Sequence, residues 1–122
     1  AGTLRHTLRG HEGAVRAVTF SADGREVVSA GNDGTVRRWR SSDGALLATV
    51  VTRRTALRVV ALSPEGVPAT GGEDGAVYLW PDGNGVELGV LPAPVIRLAF
   101  SPDGRWLATA TSDGAVQVWV VP

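Results

Sequence analysis

The chain has 122 residues, twelve of them Arg and none Lys, balanced by twelve acidic residues to a formal net charge of zero. That length suits one domain, and a neutral balance argues against nonspecific nucleic-acid binding, which needs many uncompensated cations. There is no Cys, so no disulfide framework and no Cys-based metal site, and no apolar run approaches the ~20 residues of a membrane span.

The predicted elements are short strands joined by turns, as sixteen Gly and seven Pro suggest. Residues 1–10 carry Arg5 and Arg9 without an apolar run between them, so they do not read as a signal peptide; a strand is expected at Leu4 to Leu8. An apolar run follows from Val15 to Phe20, then a turn at Ser21, Ala22, Asp23 and Gly24. Next come a strand at Glu26 to Ala30, a tight Asp33-Gly34 turn, a strand at Thr35 to Trp39 and another at Ala45 to Val51. The order then repeats: Leu57 to Leu62, the turn Ser63-Pro64-Glu65-Gly66, Val67 to Thr70, Asp74-Gly75, Ala76 to Trp80, and Val86 to Leu91. A third round runs Val95 to Phe100, the turn Ser101-Pro102-Asp103-Gly104, Trp106 to Ala110, Asp113-Gly114, and Ala115 to Val120. Pro suits a restricted corner of such turns, Gly suits positive φ, and Asp-Gly is a strong hairpin signal.

Twelve strands are therefore expected, in three four-stranded antiparallel meanders. The repeat is explicit in the residues. Ser29, Asp33 and Trp39 recur as Thr70, Asp74 and Trp80, then as Thr109, Asp113 and Trp119, with Asp-to-Asp steps of 41 and 39 residues. A period of roughly 40 residues marks a supersecondary unit that cannot bury its faces alone. The chain opens on a fourth-type strand and stops after a third-type one. Segment 3–9 is therefore expected to serve as a shared outer strand, with repeats at about 10–50, 51–91 and 92–122 in a single domain spanning 1–122.

With Gly10-His11 before the first strand, the Ser-x-Asp/Glu-Gly turns and Asp-Gly followed by Trp, the chain resembles WD-repeat β-propeller blades over about residues 3–121. The resemblance implies an all-β fold of propeller blades. It also implies a hydrogen-bond chain in each blade: Trp indole to Ser/Thr hydroxyl, hydroxyl to His, His to turn Asp. The residue types suit it, because indole only donates while hydroxyl and neutral imidazole both donate and accept. Blade one has the full set in His11, Ser29, Asp33 and Trp39. Blade two has Thr70, Asp74 and Trp80, with Arg53 at the His position; blade three has Thr109, Asp113 and Trp119, with Leu91 or Pro92 there. The family's Trp-Asp pair is replaced by Trp39-Arg40, Trp80-Pro81 and Trp119-Val120. Pro68 should shorten or bulge its ladder, and Arg38, where the other repeats have Leu79 and Val118, needs an acid partner or a route to water.

No catalytic site is expected. His11, Ser29 and Asp33 have the residue types of a hydrolase triad, but Ser29 lies mid-strand without a nucleophile elbow. Gly83-Asn84-Gly85 and Gly71-Gly72 precede no helix and read as turn chemistry, not phosphate loops. Two His, His6 and His11, are too few for a typical zinc site, and no cofactor is expected. The resemblance puts the first strand of each blade nearest a central channel, so Arg16, Arg58 and Arg97 form a possible ring for an anion or acidic peptide; the alternative is pairing with Glu73 or Glu12. Asn32, Glu73 and Ser112, each preceding a turn Asp, face the binding side by the same resemblance.

Three blades leave two open sheet faces and an unpaired edge, which invites association. The expectation is therefore a closed homo-oligomer by strand sharing, a six-bladed dimer or a nine-bladed trimer. The expected function is a non-enzymatic, cytoplasmic protein-interaction scaffold, binding a protein or peptide and neither nucleic acid nor membrane. The alternative is an engineered or minimal self-assembling propeller with no evolved ligand.

Overall fold

The computed structural model describes residues 2–52 and 56–122. Among these it has eleven β-strands in three antiparallel sheets and no helix. The first sheet is β1 (Val15–Phe20), β2 (Glu26–Gly31), β3 (Thr35–Arg40) and β4 (Leu46–Val51), paired in chain order. The second is β5 (Leu57–Leu62), β6 (Pro68–Gly72), β7 (Ala76–Leu79) and β8 (Val86–Val90). The third has β9 (Val95–Phe100), β10 (Trp106–Thr111) and β11 (Val116–Val120). The Asp-Gly turns join the second and third strands of each sheet. Gly34, Gly75 and Gly114 take φ of 74°, 83° and 90° there, a conformation that glycine adopts without steric cost.

Two expectations are corrected. Segment 3–9 forms no strand, and the third sheet has three strands rather than four, so the described residues hold eleven strands and not twelve. A strand exists only where a ladder edge accepts it, and this segment lies beside the first sheet, away from the free edge of β11. His6 Nε2 donates to the Ser42 carbonyl at 3.0 Å, and Leu8 lies against Gly44 in the turn between β3 and β4.

The core lies between sheets. Val28, Ala30 and Val36 of the first sheet pack on Leu57 and Val60 of β5. Ala69, Val77 and Leu79 of the second pack on Val95 and Leu107 of the third. Strand alternation sets this pattern, because every second side chain shares a face. Equivalent positions at the two flanks are uncovered: Val36 and Val77 are 0% exposed, whereas Val116 is 73% exposed. Likewise Val60 is 5% exposed and its counterpart Val18 is 66% exposed.

Pro68 is the first residue of β6, the position in a strand that tolerates proline; its carbonyl accepts the Trp80 N–H at 2.9 Å, but with no N–H of its own it returns no bond. The β6–β7 ladder runs from Ala69↔Leu79 only to Gly71↔Val77, shorter than the Glu26↔Arg40 to Ala30↔Val36 ladder of β2–β3. Arg38 finds its acid in Glu26, with Nε 2.8 Å from Oε1. Its Nη1 also donates to the Gly66 carbonyl at 3.0 Å, linking the first sheet to a turn of the second.

Candidate functional site

Two groups of polar residues organise around the turns. The first is the hydrogen-bond chain within each sheet. In the first sheet Trp39 Nε1 donates to Ser29 Oγ at 2.9 Å, and Ser29 Oγ lies 2.7 Å from His11 Nε2. The His11 Nδ1 is 3.1 Å from Asp33 Oδ2. One tautomer satisfies every group: Nδ1–H donates to Asp33, and Nε2 accepts the Ser29 proton. Asp33 also accepts the N–H of Glu12 and Thr35 and the Thr35 hydroxyl. Burial by itself raises the Asp33 pKa, but these donors and the His11 ring outweigh it and hold the carboxyl at about 2. Ser29 is only 5% exposed, so its hydroxyl is closed to a substrate. Catalysis by a triad requires the opposite.

In the second sheet Trp80 Nε1 donates to Thr70 Oγ1 at 2.9 Å, and Asp74 Oδ1 accepts the Ala76 N–H at 3.0 Å. Arg53 lies outside the described residues. The third sheet follows a different route. Trp119 Nε1 donates to Thr109 Oγ1 at 3.0 Å, Thr109 donates to Gln117 Oε1 at 2.6 Å, and Gln117 Nε2 donates to Thr111 Oγ1 at 3.1 Å. Thr111 then donates to Asp113 Oδ1 at 2.6 Å, and this hydroxyl holds the Asp113 carboxyl below its usual range. A side-chain amide accepts on oxygen and donates on nitrogen, so it relays as imidazole does. Sequence reasoning missed Gln117 and Thr111. Their signal was strand alternation: Gln117 is two residues before Trp119 and shares its face, where the other sheets have Arg37 and Tyr78. Among the described residues no buried side-chain nitrogen or oxygen lacks a partner.

The second group sits at the end of the sheets that carries the Asp-Gly turns. The backbone N–H of Asn32, Glu73 and Ser112 donates to the carbonyls of Ala14, Ala56 and Pro94 at 3.0, 3.2 and 3.0 Å, so the same bond fixes all three turns. The first strand of each sheet has a register shift where it begins. The extra residue is Arg16 in β1, Arg58 in β5 and Ile96 in β9. Such bulges re-aim a side chain. Arg16 Nη1 donates to Asn32 Oδ1 at 3.3 Å, and its Nη2 is 3.5 Å from Glu73 Oε1. Arg58 Nη1 lies 3.2 Å from both Glu73 oxygens. One carboxylate thus joins arginines of two sheets, and exposed pairs of this kind are worth about 0–1 kcal/mol. Arg97 donates to the Ile96 carbonyl at 2.8 Å. The three arginines line a cleft of about 470 Å³ whose walls include Val15, Val18, Val59 and Leu98. Ser112 is exposed at the same end, and no side-chain bond joins it to these arginines. Among the described residues no group of three or more His, Asp or Glu is placed to hold a metal ion, and no helix is long and apolar enough to cross a membrane.

Comparison with known proteins decides the family. The model of the WD domain, G-beta repeat, matches residues 2–40 and 85–120. The chain belongs to the WD-repeat family. Its similar proteins include eukaryotic translation initiation factor 3 subunit I of Candida albicans, 37% identical over 103 residues that make up 82% of this chain and 29% of that protein. The same subunit of Aspergillus fumigatus is 36% identical over 107 residues, 85% of this chain and 32% of that protein. That of Aspergillus terreus is 36% identical over 119 residues, 91% and 35% respectively. The chain therefore spans about a third of the length of the curated relatives it matches.

These relatives overturn the expectation that the chain partners itself as a six-bladed dimer or nine-bladed trimer. Each is named as one subunit of a translation initiation factor, so other proteins are its partners, not its own copies. The physical argument for self-closure was that nothing else can cover the open flanks. It fails for proteins in which about two thirds of the chain lies outside the matched WD-repeat stretch.

Proposed function

We propose that this WD-repeat chain is a non-enzymatic interaction scaffold that presents one end of its sheets to other proteins. The domain is read as a single three-blade segment with repeats at about 10–50, 51–91 and 92–122. The chains of His11, Ser29, Asp33 and Trp39, of Thr70, Asp74 and Trp80, and of Thr109, Asp113 and Trp119 are structural: they brace the strands that carry the turns. Arg16, Arg58, Arg97, Asn32, Glu73 and Ser112 form the partner-binding face. The observation that carries this reading is that the bulged Arg16 and Arg58, which line one cleft with Arg97, bond to the turn residues Asn32 and Glu73 of successive blades. Similarity to a subunit of a translation initiation factor supports a place among other proteins and a cytoplasmic setting.

Site-specific cross-linking tests it. A photo-reactive residue at Ser112 reports on the proposed face, and one at Asp103 reports on the opposite end of the same sheet. In host extract, defined protein adducts are expected from position 112 and not from 103. Equal labelling, or labelling from 103 alone, refutes the proposed face.

A further inference from the structure

We propose that Asn84 is a site of covalent modification: it deamidates spontaneously to isoaspartate and lengthens the backbone where the edge strand β8 begins. Asn84 stands between Gly83 and Gly85 in the turn from β7 into β8, and residues 81–87 are all exposed. Neither reacting group is tied down. Among the described residues the Asn84 side-chain amide has no hydrogen bond; only its backbone N–H has one, to Asp82 Oδ1 at 3.1 Å. The β7–β8 ladder ends at Leu79↔Val86, so the Gly85 N–H lies outside it, and it donates to no other group among the described residues. With no Cβ beside it, this nitrogen is open to approach the neighbouring amide.

The Gly85 nitrogen attacks Asn84 Cγ. The N–Cγ bond forms, the Cγ–Nδ2 bond breaks, and the amide leaves as ammonia with the proton that the Gly85 nitrogen gives up. The five-membered succinimide then adds one water. Opening at Cγ gives Asp on the original backbone. Opening at the residue 84 backbone carbonyl gives isoaspartate, in which the chain runs through Cβ and Cγ and is one methylene longer. Either product carries one new negative charge. The second sheet itself keeps Gly85 in place. A Cβ there would lie 2.7 Å from Trp80 Cζ3 and 3.0 Å from Tyr78 Cδ2, and those two rings stack with centroids 5.4 Å apart. The contact that excludes a larger residue at position 85 thus leaves Asn84 beside a glycine. Trp80 also donates to Thr70, so the added methylene falls next to the hydrogen-bond chain of that blade. Asn32, the other asparagine, is protected: its Oδ1 accepts from Arg16 at 3.3 Å, and the bulkier Asp33 follows it. The Asp-Gly turns form the same imide slowly, because an ionised carboxylate is a poorer electrophile than an amide.

Peptide mapping by mass spectrometry tests this, with the full chain held at neutral pH, kept folded by the criterion of circular dichroism, and sampled over time. The fragment containing Asn84 should gain about one mass unit. Electron-transfer fragmentation should show isoaspartate in excess of Asp, and the rate should rise with pH. A free peptide of residues 81–87 sets the unrestrained rate, and the folded chain should convert at a rate of the same order. Asn84→Gln, which must close a six-membered ring, should gain almost nothing over the same period. An unchanged mass at Asn84, conversion of Asn32 as fast as that of Asn84, or a folded rate far below that of the peptide overturns the proposal.

Discussion

Removing one oxygen atom at position 29 tests the hydrogen-bond chain of the first blade. In Ser29→Ala the Trp39 indole N–H loses its acceptor and the His11 Nε2 loses its donor. Neither is well placed to find water, because Trp39 is 4% exposed and the His11 side chain 5% exposed. A buried polar group left unpaired costs about 1–3 kcal/mol, so the two together cost about 2–4 kcal/mol once local relaxation is allowed. For a domain of this size each kcal/mol moves the melting temperature by about 4 °C, which places the variant about 8–16 °C below the parent. Ser29→Thr is the control: it keeps the hydroxyl, and Thr70 and Thr109 hold the equivalent positions. Melting followed by circular dichroism reads both. A double-mutant cycle with Trp39→Phe should show coupling of about 1 kcal/mol, since the two side chains share one bond. If Ser29→Ala melts within about 2 °C of the parent, the oxygen is not holding the blade and the structural assignment fails.

In the third blade, Gln117→Leu should cost about 1 kcal/mol by stranding the Thr109 hydroxyl, less than Ser29→Ala because Gln117 is only half-buried. Gln117→His should recover most of that loss, and thermal denaturation of the pair checks both. Asp33 makes stability depend on acid. Its pKa is lowered from 3.8 unfolded to about 2 folded, so its contribution is present above about pH 4 and is lost as pH falls through about 2. The difference corresponds to at most about 2 kcal/mol. Denaturant titrations of the parent should lose more stability over that window than those of Asp33→Asn; parallel losses in the two proteins refute the linkage.

The three repeats were legible in the sequence because turn chemistry and strand alternation are local. Asp-Gly with a following Trp marks the β2–β3, β6–β7 and β10–β11 hairpins within a residue or two, and Ser-x-Asp/Glu-Gly at the other end marks β1–β2, β5–β6 and β9–β10. What local signals cannot supply is a ladder partner. Leu4 to Leu8 has a strand-like pattern, but no sheet edge accepts it, so it lies along the first blade instead. The third hydrogen-bond chain was illegible for a related reason. A search for the missing imidazole looks to Leu91 or Pro92, before the first strand of that sheet. The replacement comes from across the sheet, at Gln117 and Thr111, where the other blades have Arg37 and Gly31, or Tyr78 and Gly72. Two changes on one face compensate for one absent residue on another element, and only three-dimensional adjacency connects them.

Register explains why the arginines could be named from sequence but not aimed. An unbroken alternation would put Arg16 on the same face as Val18 and Phe20, and Arg58 with Val60 and Leu62. The observed partners are Val15↔Gly31 then Ala17↔Ala30, and Leu57↔Gly72 then Val59↔Gly71, so each Arg is the unpaired residue of a bulge. A long cation between packed sheets would have to lose its hydration. At a bulge it turns toward the open end, where Glu73 and Asn32 await it. The apolar inter-blade faces and the charged end thus come from one strand with one inserted residue. Ile96 shows the same geometry without the charge: the first strand of the third sheet keeps the bulge, places Arg97 one residue later, and leaves that arginine with no carboxylate among the described residues. A face made by a shared backbone irregularity and unequal side chains has a common scaffold and a local specificity, which is the combination that selective recognition by a repeat requires.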